Sequence, residues 1–119
     1  MQYVLLIYGE EAAWQGRSES EEAIGEEYGE LANALRAEGK LLRLDELRPV
    51  ATATSVQVRG GDAIVSDGPF ADTKEVLGGF LMIEAESLDE AIEWAGRIPD
   101  ARYGTIEVRP LVDHSGNGA

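Results

Sequence analysis

Asp67, Phe70 and Lys74 fall within eight residues of one another, in the run D-G-P-F-A-D-T-K. A carboxylate, an aromatic ring and an ammonium group beside one turn are the parts of a small-molecule site. The carboxylate can exchange a proton if a cleft raises its pKa. The ring offers a stacking surface, and Lys74 offers a cation to an acidic substrate. Arg109 is a second cation, which the fold would have to bring to Lys74, and Trp14 is a ring able to cover a cleft. The same residues have plainer uses. Asp67 can cap the amides of Gly68 or Phe70 in an Asx turn that Pro69 stiffens. Trp14 can plug a helix edge. Lys74 and Arg109 can pair on the surface with Asp72, Glu75 or Glu107.

Asp67 and Asp72 are too few ligands for a metal, and no histidine adjoins them. No cofactor is expected either, because the glycine pairs at 60–61 and 78–79 lack the spacing of a P-loop or a dinucleotide fingerprint. The chain holds 10 Lys and Arg against 23 Asp and Glu, a net charge of -13. That balance argues against nucleic acid and against an anionic membrane surface as partners. It suits a dispersed, soluble chain. The absence of cysteine excludes a disulfide framework and thiol catalysis, and a cytoplasmic home is natural. No basic stretch leads into a long apolar run at the N-terminus, so no signal peptide is expected. The apolar runs are strand-sized, short of the roughly 20 residues of a membrane helix.

The elements that must position these residues follow from patterning. Tyr3 to Tyr8, Y-V-L-L-I-Y, reads as a central strand covered on both sides or placed at a dimer contact. Gly9 to Arg17 reads as a connector. Ser18 and Glu21 have capping-box spacing, and Ile24, Tyr28, Leu31 and Leu35 form one helical stripe that Gly39 closes. Lys40 to Leu47 is a strand ended by Pro49. Thr52 to Arg59 and Ala63 to Ser66 flank Gly60-Gly61-Asp62 as a hairpin. Gly79 to Ala85 is a core strand. Ser87 and Glu90 form a second capping box, with Leu88, Ala91, Ile92, Ala95 and Ile98 facing inward and Trp94 off the stripe. Thr105 to Arg109 is the last strand, and residues 113–119 are a polar, flexible tail after a single domain at 1–112.

Strand, helix, strand, hairpin, strand, helix, strand implies an α+β, ferredoxin-like sandwich: an antiparallel sheet, two helices on one face, and an inserted β-hairpin. The bare sheet face then needs a cover, and a second subunit supplies it most economically.

Several separated motifs in this chain resemble the YCII-related family, also called the DGPF domain family. They are the opening strand with Gly9-Glu10-Glu11-Ala12-Ala13-Trp14, then Ala51-Thr52-Ala53-Thr54, Asp67-Gly68-Pro69-Phe70, Thr73-Lys74-Glu75, Leu77-Gly78-Gly79-Phe80, Ala91 to Pro99, and Glu107-Val108-Arg109-Pro110. The resemblance implies a ferredoxin-like homodimer, which makes the expected architecture the dimeric α/β-barrel type. It implies no settled reaction. Many relatives carry a histidine where this chain has Tyr103, and the only histidine here is His114. Tyrosine, with a pKa near 10, is a poor general base.

Three functions remain open. The first is a small-molecule-binding or regulatory homodimer, with Trp14, Phe70, Lys74, Tyr103 and Arg109 as ligand contacts. The second is a small-molecule enzyme with Asp67 as general acid or base. The third is a structural interaction protein.

Overall fold

The structure is a computed structural model that describes residues 1–115. Its centre is β1, Gln2–Gly9, whose side chains alternate: Tyr3, Leu5 and Ile7 are buried, while Val4, Leu6 and Tyr8 are half-buried on the other face. Chain order continues with α1, Glu11–Gly16; α2, Glu21–Ala37; β2, Leu41–Glu46; β3, Thr54–Arg59; β4, Asp62–Asp67; β5, Val76–Glu84; α3, Leu88–Gly96; and β6, Thr105–Pro110. Short 3-10 turns at Val50–Thr52 and Pro99–Arg102 join them.

Four strands form one antiparallel sheet in the order β2-β5-β1-β6. Leu31 and Leu35 of α2, with Ala91, Trp94 and Ala95 of α3, pack on Tyr3, Leu5, Ile7, Leu81 and Ile83 to make one core. Both helices therefore lie on the same sheet face. The α2 stripe is as its spacing predicts, but the helix begins later. Ser20, not Ser18, caps it by accepting from the Ala23 amide at 3.0 Å. In α3 the phase differs from the expected one. Trp94 is buried at 5% exposure, while Leu88 and Ile92 are about half exposed. Trp94 turns inward because its indole N–H donates to Glu90 at 2.9 Å, which satisfies the one polar atom of a ring otherwise suited to the core.

The class is α+β, with four-stranded and two-stranded antiparallel sheets and three helices. The expected ferredoxin-like sandwich of dimeric α/β-barrel type is corrected here, because neither sheet closes. Closure requires the edge strands to pair. Among the described residues β2 and β6 pair only inward, and β3 and β4 pair only with each other. The third helix, α1, lies where the sequence reads as a connector. It is six residues long, has no side-chain cap and no buried residue, and so leaves little amphipathic signal.

The β3–β4 hairpin is an arm. Gly60 and Gly61, with φ of 58° and 85°, make its turn. Val56, Val58, Ala63 and Val65 share one face, and Val56, Val58 and Val65 are each more than 60% exposed. The arm helps to raise the radius of gyration to 16.5 Å, against about 13.5 Å for a compact chain of this length. At the C-terminus, the Ser115 amide donates to Asp113 at 2.8 Å. The rest of the expected tail, 116–119, lies outside the described residues.

Candidate functional site

A cleft of about 610 Å³ opens between α1, the α2 N-terminal half, the β2 end and the start of β5. Its cover is Trp14. The indole rests on the backbone of two strands where both carry glycine. A Cβ at Gly9 would lie 2.7 Å from the ring, and one at Gly78 would lie 2.4 Å from it. The short helix that carries Trp14 is fastened at its start, where the Glu11 carboxylate accepts from the Val50 amide at 3.0 Å. Leu44, Leu47, Pro49 and Leu77 supply apolar wall.

The deep polar end is Asp100, 9% exposed and set by the 3-10 turn that Pro99 begins. Arg17 donates to its Oδ1 at 2.7 Å, and the Tyr28 hydroxyl donates to its Oδ2 at 2.5 Å. Burial first, and then the hydrogen bond to the Asp100 carboxylate, pushes the Tyr28 phenol well above its ordinary pKa. Both Asp100 oxygens are thus committed, so the group holds Arg17 and Tyr28 in place rather than standing ready to take a proton. Among the described residues, Trp14 Nε1 and Arg17 Nε are buried donors without an acceptor. A neighbouring cluster ties the same connector down. Arg102 bridges Glu19 and Glu27 at 2.8 and 3.0 Å, and the Tyr103 hydroxyl donates to Glu19. That hydrogen bond, followed by Arg102, lowers the Glu19 pKa, and it raises that of Tyr103.

Of the residues singled out from sequence, Trp14 lines the cleft. Asp67 ends β4 with its side chain exposed, and it accepts no hydrogen bond among the described residues. The D-G-P-F turn is held otherwise: Gly68, at φ 91°, donates to the Ala53 carbonyl at 2.8 Å, and Ser55 donates to the Gly68 carbonyl. Phe70 is 80% exposed. Lys74 pairs with Glu10 at 3.4 Å, and Arg109 is exposed on β6. Tyr103 bonds to Glu19, so the structure gathers these six residues into no common site.

Arg17, Tyr28 and Asp100 are the site residues that sequence reading missed. Tyr28 was visible only as a stripe position, and Arg17 only as a connector residue. Asp100 follows a proline and carries no mark of burial. Among the described residues no three or more His, Cys, Asp or Glu side chains are grouped to hold a metal. No helix among them is long and apolar enough to cross a membrane.

A second, shallower groove lies along Lys40, Glu90 and Trp94. Glu90 accepts from the Glu86 amide at 2.8 Å, from Lys40 and from the Trp94 indole. Those donors, the amide foremost, hold its pKa down to about 2.

The model of the YCII-related domain matches residues 1–115. An uncharacterised protein of Rhizobium meliloti (strain 1021) is 37% identical over 116 residues, covering 93% of this chain and 92% of that protein. Neither comparison brings a reaction or a ligand with it. Matching along nearly its whole length, this chain belongs to the YCII-related family.

Proposed function

We propose that this protein is a small-molecule-binding module whose ligand sits in the cleft beneath Trp14. The carrying observation is the cleft's construction: an indole seated on Gly9 and Gly78, apolar walls, and a polar end fixed by Arg17, Tyr28 and Asp100. Apolar walls with a few placed polar groups are what small-molecule sites share. The lining carboxylates Glu11, Glu21, Glu46 and Asp100 outnumber Arg17 and Arg48. That balance favours a neutral or cationic ligand over an anionic one. Acid–base work by Asp67 has less support, since that carboxylate is exposed and has no hydrogen-bond partner among the described residues.

The reading is of a cytoplasmic homodimer, the second copy lying on the sheet face that carries no helix. The test is native mass spectrometry of the protein taken from its own host. A bound small molecule is expected, and Leu77→Trp, which fills the cleft, should expel it. Retention of the same molecule by that variant would refute the site.

A further inference from the structure

The charge balance of the cleft leaves its ligand neutral or cationic, and two orphaned atoms decide between them. This inference rests on the cleft reading and names the chemistry of what enters. Among the described residues, the buried side-chain polar atoms without a hydrogen-bond partner are Trp14 Nε1 and Arg17 Nε, and both belong to residues that line this one cleft. Both are donors with no capacity to accept. Buried polar groups nearly always find a partner, so two bare donors around one cleft mark where an acceptor from outside the chain binds.

The charge of that acceptor follows from what surrounds the donors. Arg17 already gives Nη1 to Asp100 at 2.7 Å, so its positive charge is answered inside the chain. Glu11, Glu21 and Glu46 add further carboxylates to the lining, against Arg48. A carboxylate or phosphate ligand would therefore enter as an uncompensated negative charge. An ammonium or guanidinium ligand carries donors alone and would leave both orphans bare. An uncharged carbonyl oxygen meets both conditions, since it accepts hydrogen bonds and adds no charge.

Shape follows from the seat. Trp14 Nε1 lies over Gly9, where a Cβ would stand 2.8 Å from it, and the far edge of the ring lies over Gly78. The indole must lift before a ligand can reach its N–H. Apart from the Glu11 contact at its start, the helix that carries it has no side-chain cap and no buried residue, so little resists that movement. What the indole uncovers is strand backbone without side chains, a flat floor. We propose that the cleft takes a planar, uncharged carbonyl compound, which occupies the vacated seat on Gly9 and Gly78 and accepts from Arg17 Nε and from the N–H edge of the displaced indole.

The test is heteronuclear NMR of the full chain, titrated with three flat probes of one shape: benzamide, uncharged with a carbonyl; benzamidinium, a cation with donors only; and benzoate, an anion. The Leu44 and Leu77 methyl resonances report entry into the cleft. The Trp94 indole N–H, bonded to Glu90 at 2.9 Å, is the internal reference. Benzamide should bind at least about tenfold more tightly than either charged probe. It should move the Trp14 indole and Arg17 Nε–H resonances while that of Trp94 stays. Trp14→Phe, which keeps a ring and loses the donor, should shrink the preference for benzamide about threefold. Benzamide in the cleft with both donor resonances unmoved, or a charged probe bound as tightly, leaves the cleft standing and overturns this ligand class. Leucine methyls that respond to none of the three probes overturn the cleft reading itself.

Discussion

Gly78 lies directly under the ring of Trp14, with room for a hydrogen and nothing larger. A Cβ there would stand 2.4 Å from ring carbon Cη2 and 3.0 to 3.1 Å from two more. The indole position, and with it the cover of the cleft, depends on a residue in another strand that has no side chain.

Gly78→Ala should therefore push the indole off its seat. The expected loss is about 1–3 kcal/mol, the range for forcing a methyl group into a packed contact. Urea denaturation measures it. Gly25→Ala is the control, since a Cβ there meets nothing within 4 Å and a helix interior gains from the change. Equal behaviour of the two variants would contradict the seat.

Asp100→Ala should cost about 3–5 kcal/mol, because it strands a mostly buried arginine. Tyr28→Phe removes only a hydroxyl and should cost about 0.5–1.5 kcal/mol. The Tyr28 pKa is raised in the folded chain. Its contribution is thus whole below the unfolded value of about 10 and falls away as pH climbs beyond it. Denaturation at pH 9 and 11 should show a steeper drop for the parent than for Tyr28→Phe.

Glu90 gives the opposite sign. Its folded pKa, about 2, lies below the ordinary glutamate value of 4.5. The stability it lends is present above about 4.5 and is lost as pH falls toward 2. Glu90→Gln should flatten the acid limb of the stability profile across that interval. An unchanged acid limb would mean that the Lys40, Glu86 and Trp94 contacts do not act on this carboxylate.

Amides in β3 and β4 should exchange with solvent far sooner than those of β1 and β5. The arm has exposed side chains and no place in the core, and a lone two-stranded hairpin is marginal in water. Hydrogen exchange by NMR reads this directly. Equal protection of β4 and β5 would show that something holds the arm.

Periodicity made the sheet and the two long helices legible, because Tyr3, Leu5 and Ile7 alternate and Ile24, Tyr28, Leu31 and Leu35 recur at helical spacing. The cleft was less so. Trp14 announced itself by size, but Arg17, Tyr28 and Asp100 are separated by up to 83 positions along the chain, and no local pattern says that they meet. Asp67 drew notice through its tetrapeptide, yet the turn is held by Gly68 and Ser55 instead. The barrel expectation failed on edges: sequence shows that strands exist, but not whether β2 and β6 find partners beyond the sheet.

The first strand sits in the middle of the sheet, and both of its neighbours come late: β5 spans 76–84 and β6 spans 105–110. A ribosome adds about 5–20 residues per second. Y-V-L-L-I-Y therefore leaves the exit tunnel and waits roughly 4–15 seconds for β5 to follow it out. During that interval its amides and carbonyls are unpaired and its side chains exposed, the state in which an apolar strand pairs with the wrong chain. Newly made protein should accordingly depend on nascent-chain chaperones far more than the finished fold does, and overproduction should fail first by aggregation during synthesis.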